Sequence, residues 1–371
     1  MFLKELTLYN FKNYESAQLA LHPTINCFVG NNGSGKTNLL DAIYYLSLTK
    51  SAFNPVDLQN IRYEQPHFVI EGSFELPTGV QKVMCAVQIG ERKVVKVNQQ
   101  AYEKIAQHIG KYPCVLMSPN DTDLVREGSE VRRKFFDGLL AQISQTYLED
   151  LLIYNQLLKR RNTLLKQFYE RRFFDKPLLE SYDEPLVEKG IAIYKEREKQ
   201  LTAYIPLFEQ AYQQLTQHQE EVSLSYQTQW QRAEDYPVQF KEALPKDSVL
   251  QRTTVGIHKD DFLFKIHQKS LKKFASQGQQ KSFVIALKLA KFEMLCQHKP
   301  VIPILLMDDI LDKLEQSRIL QLLKIVTRRK LGQLFITDTN PERMEQLMKA
   351  LSLRARIFHI QQGGIERTYE V

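Results

Sequence analysis

Cysteine is scarce in this chain of 371 residues: Cys27, Cys85, Cys114 and Cys296 are all there are, scattered with no Cys-x-x-Cys pair among them. That spacing excludes a zinc-ribbon or thioredoxin-type site, and each thiol lies in an apolar run typical of a buried cysteine. Neither zinc nor a disulfide framework is expected, and a reducing cytosol fits such usage. Long hydrophobic runs are missing too. The longest, Pro300 to Met307, is of strand length, so no membrane span is expected. The sequence has no internal repeat and no low-complexity tail. A signal peptide is not expected either, because MFLKELTLYNFKNY alternates apolar and polar residues and carries charge early, as a first strand does. What is present is 43% hydrophobic content, enough for a substantial core in one large or two ordinary domains. The net charge of +7 favours a polyanionic partner such as nucleic acid.

Up to about Tyr112 the chain mixes short alternating runs, FVIEGSFEL and KVMCAVQI among them, with one helix after Thr37, which reads as α/β with some antiparallel strands. From about Val131 to His218 the period changes: Phe135, Leu139, Ile143, Tyr147, Leu151 and Tyr154 recur every three or four residues, predicting long helices. A break from Phe173 to Pro185 is expected to reverse the chain and make an antiparallel hairpin. After a polar stretch around Gln227 to Pro245, strands return in TTVGIHKDDFLFKI, followed by a helix from about Gln280 to Cys296 and the apolar strand IPILLM.

The strongest local signal is INCFVGNNGSGKT, residues 25 to 37, where an apolar run enters Gly30-Asn31-Asn32-Gly33-Ser34-Gly35-Lys36-Thr37 and leads into the helical NLLDAIYYLSL. This is the G-x-x-x-x-G-K-[ST] phosphate loop in its strand-loop-helix setting. The glycines let backbone N–H groups converge on phosphate oxygens, and the helix N-terminus adds positive partial charge. Lys36 is expected to reach the β- and γ-phosphates of ATP, and the Thr37 hydroxyl to coordinate Mg²⁺.

Such a site also needs a carboxylate at the end of a neighbouring buried strand, and Ile302 to Met307 ends in Asp308-Asp309. Asp308 is expected on the Mg²⁺ side, with Asp309 polarising the attacking water. The alternative is a pair of helix-capping acids. Capping explains one Asp, but not two adjacent like charges that repel unless a cation sits between them.

Between these sites, Phe274-Ala275-Ser276-Gln277-Gly278-Gln279-Gln280-Lys281-Ser282 precedes the amphipathic FVIALKLAKFEML. The arrangement resembles the signature motif of ABC-type ATPases. Taken alone, Ser276 would be an ordinary N-cap. In sequence order after the phosphate loop and before the twin aspartates, it fits the superfamily. That resemblance implies that Ser276 and Gly278 contact the γ-phosphate held by a second copy's phosphate loop, so that ATP joins two heads in a symmetric dimer and hydrolysis releases them.

At this point the chain resembles the RecF family, bacterial DNA-repair ATPases related to SMC head domains. LTLYNFKNY, VGNNGSGKTNLLDAIYYLSLTKS, SPNDTDLVREGSEVRRKFFD and TTVGIHKDDF are similar to family blocks nearly end to end. Arg132 and Arg133 match the family's paired arginines, and His258 and Asp260-Asp261 match a further block. Lys12 stands where arginine is usual, and Ile257-His258-Lys259 replaces Pro-His-Arg. Asp312-Lys313-Leu314-Glu315 occupies the D-loop, and LFITDTN offers Thr337 and Asp338 where transporter ATPases carry a histidine switch. The resemblance implies an α/β ABC-type P-loop ATPase head: lobe I from 1–125 and 285–371, and an inserted helical lobe II, 126–284, with a short antiparallel hairpin and the signature. It also implies weak DNA-dependent ATP hydrolysis, ATP-driven dimerisation on DNA, and recruitment of RecR and RecO to load RecA at single-strand gaps, in the cytoplasm. Arg132, Arg133, Lys159, Arg160 and Arg161 are the candidate DNA contacts; solvated helix faces with salt-bridge partners account for any single cluster as well. The competing functions are an SMC-like structural head and a transporter-type ATPase.

Overall fold

The computed structural model describes residues 1–217, 220–230, 232–310, 316–328 and 332–371. In chain order the first part holds β1 (Phe2–Phe11), β2 (Tyr14–Ala20), β3 (Ile25–Val29), α1 (Lys36–Leu48), β4 (His67–Leu76), β5 (Gly79–Gln88), β6 (Val94–Val97), β7 (Gln100–Ala101) and β8 (Cys114–Met117). The middle holds α2 (Asp123–Arg126), α3 (Ser129–Ile143), α4 (Gln145–Arg171), α5 (Lys176–Thr216), β9 (Val222–Gln227), α6 (Asp235–Glu242), α7 (Leu244–Leu250), β10 (Asp261–Ile266), β11 (Lys269–Ser270) and α8 (Leu271–Phe274). The last part holds α9 (Gln277–His298), β12 (Ile304–Met307), α10 (Gln316–Arg328), β13 (Leu334–Asp338), α11 (Pro341–Ala350), β14 (Arg356–Gln361) and β15 (Gly364–Glu370). The chain divides into two compact units, Met1–Asp121 with Ala211–His218 and Lys281–Val371, and Thr122–Gln210 with Gln219–Gln280.

In the first unit, β2-β1-β4-β5-β6-β7 form an antiparallel sheet and β15-β14-β3-β13-β12-β8 a second one, parallel except for its edge strand β15. Strands β3, β12 and β13 are buried at every position. That is why INCFV, ILLM and LFITD are near-continuous apolar runs, as strands covered on both faces require. The antiparallel strands instead alternate, as β5 does with Val83, Cys85 and Val87 buried. One core joins the two sheets to α1: Leu39, Leu40, Ile43 and Leu46 of the helix pack with Phe28 and Phe335 of one sheet and Leu6, Phe68 and Ile70 of the other. Register then fixes the site. Val29 pairs with Asp338 and Met307 with Ile336, so the carboxyl ends of β3, β13 and β12 lie side by side. In open parallel sheets that edge is where ligands bind.

In the second unit, α4 and α5 run antiparallel. Arg161 meets Asp183, Asp150 meets Lys189, and Tyr147 meets Arg197, so position along one helix rises as the other falls. The reversal is shorter than the break expected across Phe173 to Pro185. Arg172 ends α4 in the left-handed region, Asp175 accepts the N–H of Leu178 at 3.0 Å, and α5 is already under way at Lys176. Pro185 sits inside α5, as does Pro206. Pro185 costs one backbone bond, to the carbonyl of Ser181, an exposed residue. Two further expectations are corrected. The stretch Gln227 to Pro245 contains α6 and the start of α7, and TTVGIHK is no strand: Ile257–Lys259 forms a 3-10 turn, with β10 beginning at Asp261. Strands β11-β10-β9 complete the unit.

Candidate functional site

The loop between β3 and α1 is bent as only glycine permits at two positions. Gly30 has φ 152° and Gly35 φ 116°. A Cβ on Gly30 would lie 2.2 Å from the carbonyl oxygen of Ile360, and one on Gly35 2.6 Å from Asn13 Nδ2. The loop is braced from the β1–β2 turn and the start of β2: Asn13 Nδ2 donates to the Ser34 carbonyl at 3.2 Å, and the Tyr14 hydroxyl to the Gly35 carbonyl at 3.1 Å. Asn38 in turn donates to Asn13 Oδ1 at 2.7 Å. These two braces were not picked out from sequence, since the motif carries no hint of what packs behind it. Lys12 pairs with Asp41 of α1 rather than pointing away from the fold. Lys36 is buried and curls over its own loop, donating to the carbonyls of Gly30 at 2.8 Å and Asn31 at 3.0 Å. An open cleft beside Gly30, Asn31, Asn32 and Gly33 extends to Thr339 and His359 at the ends of β13 and β14.

Thr37, in the first turn of α1, donates its hydroxyl to Asp308 Oδ1 at 2.9 Å. Asp308 is buried at the end of β12 and also accepts the Thr337 hydroxyl at 2.9 Å. Burial raises the Asp308 pKa, the two hydroxyl bonds oppose that rise, and the neighbouring charge of Asp309 adds to it. A cation between Thr37 and Asp308 would relieve that cost by neutralising the carboxylates. Among the described residues no group of three His, Cys, Asp or Glu could hold a metal by itself. Mg²⁺ keeps several waters and takes one or two protein groups plus substrate phosphates, and Thr37 and Asp308 are the two groups here that would hold it. Asp309 sits at φ 43°, in the left-handed region, with its N–H donating to the Thr337 hydroxyl at 2.8 Å. Left-handed backbone at a non-glycine residue stores strain that gathers at functional sites. Thr337 therefore holds both aspartates, where sequence reading saw in it only the absence of a histidine switch.

Ser276 is exposed and caps α9: its Oγ accepts the N–H of Gln279 at 3.2 Å, and its own N–H donates to Gln279 Oε1 at 2.7 Å. This is a reciprocal capping box. Gly278 follows in the first turn, half-buried. The altered D-loop, Asp312-Lys313-Leu314-Glu315, lies outside the described residues.

Of the candidate DNA contacts, Arg161 is corrected. Its side chain is fully buried, donating to Asp183 and Asp247 at 2.7 Å each and to Thr253 at 2.9 Å, with its guanidinium 4.5 Å from the Phe240 ring centre. Removing one partner of such a buried pair costs about 3–5 kcal/mol, so this arginine belongs to the core of its unit. Arg132 is engaged as a fork on Asp261, at 2.7 and 2.9 Å, and Arg133 donates to the carbonyl of Asp260 and to Ser129. Lys159 and Arg160 are exposed. His258 bonds Tyr154 at 2.7 Å and the Thr253 carbonyl at 3.1 Å, and burial lowers its pKa to about 4, so it is a neutral structural link.

No helix among the described residues is long and apolar enough to cross a membrane. Residues 1–284 match the AAA ATPase domain family. The chain is 44% identical to the DNA replication and repair protein RecF of Flavobacterium johnsoniae, over 97% of this chain and 100% of that protein. It is 42% identical to the RecF of Cytophaga hutchinsonii, over 99% and 97%. A solved structure of RecF with ATP, described as a recombination mediator in the RecFOR pathway, superposes with a TM-score of 0.89 at 27% identity, covering 100% of this chain and 97% of that one. The SMC head domain of Pyrococcus furiosus, bound to part of ScpA, matches with a TM-score of 0.57 at 15% identity over 100% and 96%, a likeness of fold alone. With a phosphate loop set against an Asp-Asp pair whose first member is buried, on an ABC-type ATPase head, and full-length relatives of this similarity, the chain belongs to the RecF family of DNA replication and repair proteins.

Proposed function

We propose that this chain is a Mg²⁺-dependent ATPase of recombinational repair that closes as a head-to-head dimer on DNA when ATP is bound and reopens after slow hydrolysis. The observation that carries the reading is the Thr37–Asp308 hydrogen bond, which joins the phosphate loop to the strand-end carboxylate across 271 residues of sequence. When bound, ATP and Mg²⁺ supply the transferable γ-phosphate and the positive charge that offsets its oxygens. The chain does the rest. Gly30, Asn31, Asn32, Gly33, Ser34 and Gly35 present backbone N–H groups, Lys36 exchanges its two loop carbonyls for phosphate oxygens, and Thr37 and Asp308 hold the cation shell. Asp309, oriented by Thr337, positions and deprotonates the attacking water. Ser276 and Gly278, on an exposed helix tip, complete the site of a second copy, so the γ-phosphate is contacted from both sides only while two chains face each other. The RecFOR description of the solved relative supports partnership with RecR and RecO, and the family's repair role supports action on duplex DNA and its junctions with single strands in the cytoplasm.

A gel shift with duplex, single-stranded and gapped DNA, each with and without ATP and Mg²⁺, tests partner and switch together. Binding that strengthens with ATP and weakens steeply with salt is expected. DNA binding indifferent to ATP contradicts the reading.

A further inference from the structure

The turn joining α4 to α5 leaves aromatic rings in solvent: Tyr169 is 62% exposed, Phe173 63% and Phe174 43%. Adjacent exposed rings of this size mark a contact surface more often than an accident of folding. The turn beneath them is well bonded. The N–H of Phe173 donates to the Phe168 carbonyl at 3.2 Å, and the Phe174 ring packs edge-on against Phe168 at 5.3 Å between centroids. Around the rings, Lys159, Arg160, Lys166, Arg171 and Arg172 are all exposed, and none of the five makes an ion pair with a described residue. This contrasts with Arg161 in the same helix, which is buried and doubly paired. Lys159, Lys166 and Tyr169 follow at spacings of seven and three, on one face of α4. From Lys159 to Arg171 the helix rises about 18 Å. Acidic residues between 159 and 176 are confined to Glu170 and Asp175, and the second is occupied as the cap of α5.

Bare cations interleaved with exposed rings match the chemistry of single-stranded nucleic acid, whose phosphates attract the cations and whose unpaired bases offer faces to stack. A duplex would satisfy the cations and leave the rings without partners, because its bases are already stacked. A protein partner would account for the rings but would leave this many unneutralised cations unexplained. We infer that the α4–α5 turn is a platform for single-stranded nucleic acid, with Tyr169 and Phe173 stacking on unpaired bases while Lys166, Arg171 and Arg172 hold phosphates. The inference rests on the DNA-binding reading above and adds which strand form is held, and where.

Fluorescence anisotropy of the full chain with ATP and Mg²⁺ tests it, using three labelled probes: oligothymidylate, a blunt duplex, and the same duplex with a single-stranded tail. Replacing Tyr169→Ala and Phe173→Ala together is expected to weaken oligothymidylate and tailed-duplex binding about tenfold to a hundredfold, while blunt-duplex affinity stays within about twofold. The ring-preserving pair Tyr169→Phe and Phe173→Tyr is expected to bind like the wild type. Arg171→Gln with Arg172→Gln should reduce the salt slope on oligothymidylate by about 1.4, or about 0.7 per lost phosphate contact. Unchanged oligothymidylate affinity in the ringless variant overturns the platform while leaving the DNA-binding reading intact. So does unchanged DNA binding with an altered mass in light scattering, which would make the turn a contact between copies. A wild-type chain that binds none of the three probes overturns both.

Discussion

Replacing Lys36→Ala is expected to weaken ATP binding about 30- to 3000-fold in calorimetry, the loss produced when one partner of a buried, charge-assisted contact is removed. The fold should survive the change. Among the described residues the ammonium group hydrogen-bonds to the carbonyls of Gly30 and Asn31, and the helix it starts is anchored by Leu39, Leu40 and Ile43 in the core between the two sheets. A variant that unfolds at nearly the wild-type temperature yet fails to bind nucleotide therefore isolates the phosphate contact. Retained affinity would move the nucleotide away from Gly30 to Thr37 altogether.

Asp309→Asn should act later in the cycle. The side chain keeps its shape and loses its charge, and asparagine is among the few residues that tolerate the left-handed backbone found at φ 43°. The hydrogen bond from its N–H to Thr337 is also independent of the side chain. Binding of ATP is thus expected to persist while turnover falls about 10²- to 10⁴-fold, the usual contribution of a positioned general base. The ATP-bound state on DNA would last correspondingly longer. Phosphate release at the wild-type rate would remove Asp309 from catalysis and leave Thr337 holding two acids of which one only balances charge.

The parts of this site legible in the sequence are those whose physics is local. A glycine-rich loop between a strand and a helix, an apolar strand ending in two aspartates, and a serine opening an amphipathic helix each announce themselves within a dozen residues. Pairings made by strand register are different. Nothing local says that Thr337 bonds Asp308 until β3, β12 and β13 are placed side by side, or that Asn13 and Tyr14 brace the loop until the β1–β2 turn of the other sheet is packed against it. Arg161 lies between these cases. It was grouped with Lys159 and Arg160 as a basic run, yet it stands seven residues beyond Tyr154 and four before Leu165, both buried on the same face of α4. Extending the helical period that picked out Tyr147, Leu151 and Tyr154 by two more turns would have placed Arg161 inward. The turn at Phe173 to Asp175 is likewise shorter than the break expected from Phe173 to Pro185, because Pro185 is accommodated within α5.

The claim on which the account depends is that ATP is held by two copies of the chain, Gly30 to Thr37 and Asp308 from one and Ser276 with Gly278 from the other. Multi-angle light scattering with saturating ATP and Mg²⁺, using the wild type and Ser276→Arg in parallel, tests it directly. The account predicts a wild-type mass near twice 43.4 kDa and a monomeric Ser276→Arg variant that still binds ATP. A wild-type chain that stays monomeric with ATP bound, or a Ser276→Arg variant that dimerises as the wild type does, would contradict it.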